Sequence, residues 1–124
     1  MYHTIKKVLD MEQFKTYAVM DTVYPLRRIV KDFSILSKEE LKFVNRNSHV
    51  DFLIYNKFDM KPVLAIEVDG YAFHSKKEQM IRDQKKNSIL RKCKIPLLRF
   101  ATNGCYEEER LIKKLDEIVK QDFN

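Results

Sequence analysis

The stretch Val63-Leu64-Ala65-Ile66-Glu67-Val68-Asp69-Gly70 constrains this chain more than any other. An apolar run of this kind is a buried strand, and it leads straight into two acids and a glycine. Side chains alternate across a strand, so Glu67 and Asp69 share one face. Just upstream, Val50-Asp51-Phe52-Leu53-Ile54-Tyr55 is a second apolar strand carrying one acid. The link over residues 56–62 is short enough for an antiparallel hairpin, which brings Asp51 beside Glu67.

Downstream, residues 75–93 read as a helix. On its wheel Asp83, Lys86, Leu90 and Cys93 lie on one side, with Ile89 at the margin. An acid and a lysine therefore sit in the stripe that faces the sheet. Buried charges are costly unless they are paired or bound to a metal. Asp51, Glu67, Asp69, His74, Asp83 and Lys86 are thus the residues to explain.

The remaining segments frame this centre. Residues 4–20 follow a helical period through Ile5, Val8, Leu9, Glu12, Thr16, Val19 and Met20. Glu12 inside that stripe either keeps its head in water or points at the same place as Asp51 and Glu67. Residues 23–30 are rich in β-branched side chains and predict a strand, with Pro25 marking an edge or a strand start. Arg27 and Arg28 on it are either solvated edge charges or phosphate contacts. Ser37 with Glu40 is a capping box opening a short helix through Val44. Residues 95–100 predict a buried strand, joined to residues 63–69 by a right-handed parallel crossover. Asn103-Gly104 predicts a turn. Residues 107–121 predict an amphipathic helix with Leu111, Ile112, Leu115, Ile118 and Val119 inward. The expected order is helix, three strands, helix, strand, helix.

Composition narrows the class. The 124 residues fit one domain, and 44% hydrophobic content beside 34% charge excludes a disordered chain. Lys6, Lys7, Asp10, Glu12 and Lys15 break any apolar run near the start, and no later stretch is long enough to cross a membrane. Cys93 and Cys105 lack metal-ligand spacing and read as reduced thiols of a cytoplasmic protein. The formal net charge of +6 suits a polyanionic partner as well as a plain basic domain.

Two carboxylates about 4 Å apart repel by about 4 kcal/mol at an effective dielectric of about 20. Converging acids are relieved either by staying protonated or by binding a cation. The ligands on offer are hard oxygens with one imidazole and no thiolate, a set that favours Mg²⁺ or Mn²⁺. Such an ion holds a phosphate oxygen and acidifies a bound water. A lysine facing the site answers the negative charge that grows on the phosphate. His74, placed where the helix begins, is either structural or a candidate acid–base or metal-water ligand. Carboxylates, one lysine and a basic surface together point to phosphodiester hydrolysis.

At Glu67-Val68-Asp69-Gly70, His74, Asp83 to Lys86 and Lys94 to Arg99, the chain resembles the PD-(D/E)xK restriction-endonuclease-like superfamily. The likeness is closest to very-short-patch-repair-like endonucleases and to small helicase-associated nuclease-like domains. It implies an α/β restriction-endonuclease-like core of helix–three strands–helix–strand with a C-terminal helix, the mixed sheet flanked by helices. It also implies Asp51 and Glu67 as metal ligands, with the backbone carbonyl of Val68 as a third. Glu12 would match the acid that such families carry on the first helix. The superfamily's lysine normally stands two residues after the second acid, where this chain has Asp69, so Lys86 on the next helix would take its place.

The expectation is a Mg²⁺- or Mn²⁺-dependent nuclease domain acting on nucleic acid, with DNA the expected substrate. The chain is either a whole protein or a fragment of a larger helicase-linked one, and a helicase or repair complex is the implied partner. The rival reading is a nucleic-acid-binding module that kept the fold and lost catalysis. An acid-rich oligomerisation domain explains the charged stripe poorly.

Overall fold

The computed structural model describes residues 1–69, 76–101 and 106–122. Helix α1 (Tyr2–Leu9) buries Ile5, Val8 and Leu9 on one stripe. It stops at Asp10, far short of the expected Met20. A 3-10 turn at Glu12–Phe14 and strand β1 (Tyr17–Val19) follow. The helical period of residues 4–20 is overridden there because Tyr17 and Val19 find strand partners, Asn56 and Ile54, far along the chain.

The expected strand at 23–30 is also shorter than its β-branched content suggested. Strand β2 (Tyr24–Pro25) gives way at once to one helical turn, α2 (Leu26–Ile29). Leu26 and Ile29 stand one turn apart and are both buried, so the helical period wins after Pro25. Arg27 and Arg28 are exposed on the outside of this turn, not along a strand edge. After a 3-10 turn at Phe33–Ile35, α3 (Lys38–Asn45) opens with the expected capping box. The Ser37 hydroxyl accepts from the Glu40 N–H at 3.1 Å, and the Glu40 carboxylate accepts from the Ser37 N–H at 2.8 Å. Strand β3 (His49–Val50) pairs with β2 as a small antiparallel ribbon.

Strands β4 (Phe52–Asn56) and β5 (Pro62–Asp69) form the expected hairpin. Its turn is held locally, with the Asn56 side chain accepting from the Phe58 N–H and the Asp59 side chain from the Lys61 N–H. Helix α4 (Lys76–Lys92) then leads to β6 (Leu97–Ala101), parallel to β5. Helix α5 (Glu107–Asp122) ends the described chain, with Leu111, Leu115 and Ile118 buried and Ile112 and Val119 packed beside them. The strand order in the main sheet is β1-β4-β5-β6.

Two apolar clusters lie on opposite faces of that sheet. One joins α1 and α5 to Ile54, Leu64 and Ile66. The other joins α2, α3 and α4 to Leu53 and Ala65. The domain is therefore α/β, a mixed four-stranded sheet with helices on both faces. No helix among the described residues is long and apolar enough to cross a membrane.

Candidate functional site

The hairpin register decides what the acids can do. Phe52, the first residue of β4, pairs with Ile66, so Asp51, in the bend just before β4, lies at the strand end beside Glu67 and Val68. On the other side of β5, Glu67 pairs with Arg99 of β6. Leu53 and Ala65 face the α4 layer, and by alternation Asp51, Glu67, Asp69 and Arg99 face it too. Apolar contacts fill the hairpin end of this face, while the row Asp51–Glu67–Arg99 crosses its far end.

Helix α4 lays its charged side chains over that row. The Lys86 ammonium bonds the Glu67 carboxylate in a pair with little exposure on either side. One turn earlier, Asp83 accepts from the Gln79 amide at 3.0 Å and lies 3.6 Å from the Arg99 guanidinium. Arg99 also donates to the Asp83 carbonyl at 3.3 Å and to the Asn87 side chain, while its Nε is buried without a partner among the described residues. The Asp51 carboxylate accepts from the Val68 N–H at 2.8 Å, which pins it against β5.

The electrostatics follow from burial and crowding. Burial lifts the Glu67 carboxyl to about 7. Lys86 opposes that rise, and Asp51 reinforces it by its charge and by a carboxyl–carboxyl hydrogen bond. Asp69 is raised as well, by burial first and then by Asp83 and Asp51, against the pull of Arg99 and Lys86. Among the described residues four acids here face two cations, an excess of negative charge.

A cation would relieve that excess. Among the described residues no three His, Cys, Asp or Glu side chains form a ready cage. Magnesium does not require one, because it commonly uses one or two carboxylates and keeps several waters. Asp51 and Glu67, in contact and both hard-oxygen donors, fit that demand, and the Val68 carbonyl belongs to the same strand end.

The structure thus brings together Asp51, Glu67, Asp69, Asp83 and Lys86. Glu12 is not among them. It lies on the 3-10 turn after α1, in the layer on the opposite face of the sheet, with an exposed carboxylate 3.1 Å from Lys15. The chain passes from that turn into β1 at the hairpin end of the sheet, where the Thr16 carbonyl accepts from the Lys57 N–H. His74 lies outside the described residues, as does the turn expected at 103–104.

Two residues that sequence reasoning left without a role are prominent. Arg99 is the far end of the row. An arginine at the same strand parity as Leu97 was the available signal, but its pairing with Glu67 is a long-range register. Glu40, read only as a cap, is buried and ties α3 to α4, accepting from the Ser88 hydroxyl and the Lys92 ammonium. Burial would raise its carboxyl, but Lys92, the Ser37 N–H and Ser88 hold it down at about 2.

Beside the row, a cavity of about 510 Å³ opens between the end of α3 and the first half of α4. Lys86 belongs to its wall as well as to the row.

A family model described as a protein of unknown function (DUF2726) matches residues 2–118. No curated protein and no solved structure matches the chain.

Proposed function

The chain belongs to the DUF2726 family, and from the carboxylate row we propose that it is a metal-dependent nuclease domain of restriction-endonuclease-like fold. The observation that carries this reading is the placing of Asp51 beside Glu67 at the hairpin's strand end, with Lys86 on Glu67. Acids kept adjacent at the cost of mutual repulsion are more economically explained by a bound cation than by packing. The hairpin followed by α4 and a parallel β6 agrees with the expected core.

Asp51 and Glu67, with the Val68 carbonyl, would hold Mg²⁺ or Mn²⁺. The bound ion supplies Lewis acidity toward a phosphate oxygen and toward a water. The protein's own residues do the rest. The Val68 N–H holds Asp51 in place. Glu67 gives up the proton that its raised pKa lets it keep near neutrality. Lys86 turns its ammonium toward the non-bridging phosphate oxygens, whose charge grows as the water attacks. Arg99 and Gln79 hold Asp83 at the rim of the site. DNA is the expected substrate, and a helicase or repair complex the expected context.

A second reading is favoured by the same Lys86–Glu67 pair. A lysine seated on the ligand carboxylate takes an oxygen that a cation would use. In a domain that had lost catalysis, that pair would be permanent and the basic surface would only bind nucleic acid.

Incubation with supercoiled and single-stranded DNA in Mg²⁺, Mn²⁺ or EDTA separates the two. The nuclease reading requires cleavage that depends on the divalent ion and is lost in Glu67→Gln. Salt-sensitive binding with no cleavage at any divalent ion establishes the binding module.

A further inference from the structure

The cavity beside the row has two unlike walls. One comes from the end of α3 and the loop after it, with Phe43, Arg46 and His49. The other comes from α4, with Ile81, Arg82, Lys85 and Lys86. Arg46, Arg82, Lys85 and Lys86 face one acid in the lining, Glu78. The floor is not purely polar, because Phe43 is only partly buried and Ile81 is exposed. Inside the cavity the Lys85 ammonium sits 5.7 Å from the centre of the Phe43 ring.

A cleft of this size accommodates a small-molecule-sized group, and its lining matches the two halves of a nucleotide. Cations answer a phosphate, and an aromatic ring answers a base. Single-strand binding sites combine these two elements, a basic track and a stacking platform. A base inside a duplex cannot reach a ring set in the wall of a cleft, because its faces are covered by its neighbours. An unpaired base can. We propose that this groove receives an unpaired nucleotide of a DNA strand, stacked on Phe43 and held at its phosphates by Arg46 and Arg82. The proposal rests on the nuclease reading, for which it names the substrate class: single strands, flaps or frayed ends. Lys85 caps the ring in the free protein. An incoming base takes that place, and the displaced ammonium moves to the phosphate. Lys86, shared by groove and row, sets the next phosphate beside Glu67.

The test is fluorescence anisotropy of the full chain in EDTA, so that nothing is cut. The probes are a labelled thymidine oligomer of roughly 10 nucleotides and a blunt duplex of the same length. The single strand should bind at least about tenfold tighter. Phe43→Leu should lose about fivefold or more of that affinity with duplex binding unchanged, and Phe43→Tyr should retain it. Arg46→Gln and Arg82→Gln, at exposed positions, should each lower the salt slope by about 0.7. Equal affinity for the two probes overturns the proposal. So does full single-strand affinity in Phe43→Leu, or displacement by polyglutamate as effective as by unlabelled oligomer, which would mark the groove as a site for acidic protein segments. Ring-dependent single-strand binding without metal-dependent cleavage supports the groove and overturns the nuclease reading. Cleavage lost in Glu67→Gln, with no preference for single strands, does the reverse.

Discussion

Asp51 and Glu67 stand side by side at the strand end of the β4–β5 hairpin, with the Val68 N–H fixing one and Lys86 capping the other. That relationship makes proton and cation competitors for one space, and most of the expected behaviour follows from the competition.

The folded protein should lose stability as pH rises from about 4.5 to about 7 in EDTA. Glu67 titrates at about 7 when folded and at the ordinary carboxyl value of 4.5 when unfolded, so across this window the native state binds the extra proton. Stability falls wherever the native state is the better proton binder, here by about 3 kcal/mol in all, and is level above it. Asp69, also raised, adds in the same direction. Urea unfolding at closely spaced pH values reads this directly, and Glu67→Gln should flatten the decline and raise the metal-free melting temperature at pH 8. A stability flat from pH 5 to 7 in the parent would contradict the crowding of acids.

Saturating Mg²⁺ or Mn²⁺ should raise the melting temperature, because a ligand of the folded state alone stabilises it. The gain should be larger at pH 8 than at pH 6, since the proton on Glu67 must leave before the ion binds. Glu67→Gln should reduce the gain. Differential scanning fluorimetry with and without EDTA measures it, and an ion-independent melting curve at pH 8 removes the metal from this row.

Lys86→Ala should cut turnover on the order of a hundredfold or more, with only slightly weaker DNA binding. Lys86→Arg should rescue poorly, because a planar fork needs more room than an ammonium. Single-turnover cleavage beside Lys113→Ala, at an exposed position on α5, is the measurement. Equal rates in both variants would return Lys86 to a structural ion pair.

Glu40→Ala should destabilise the domain by about 2 kcal/mol or more, through the lost cap and the lost link from α3 to Ser88 and Lys92. Glu40 titrates at about 2 when folded against 4.5 unfolded, so its contribution is complete above 4.5 and disappears as pH falls toward 2. The gap between parent and variant in urea midpoint should therefore be wide at pH 7 and narrow by pH 3. Cleavage per folded molecule should change little.

Sequence legibility followed the range of the interactions. Residues 63–69 and 75–93 were readable because a buried strand ending in acids and a helix with charges in its inner stripe declare themselves locally. The capping box at Ser37 was local too, and so were the ends of α5. The first helix was overextended because Thr16, Val19 and Met20 happen to keep its period, while the contacts that make residues 17–19 a strand lie across the sheet in β4. Glu12 was carried along by that error. Leu26 and Ile29 are one helical turn apart, but β-branched neighbours hid the pattern. Arg99 needed the parallel register of β6, which no local window contains.

The loop from Arg46 to His49 continues directly into Asp51, and the turn of α4 that bears Arg82 continues into Lys86. The two walls of the groove are therefore each continuous in backbone with one member of the row's charged cluster, the first with Asp51 and the second with Lys86. Under the nuclease reading, a strand held in the groove lies directly beside the row. In that reading recognition and alignment of the reacting groups share the same two stretches of backbone, and a poorly fitting strand should be penalised in rate even where it is bound.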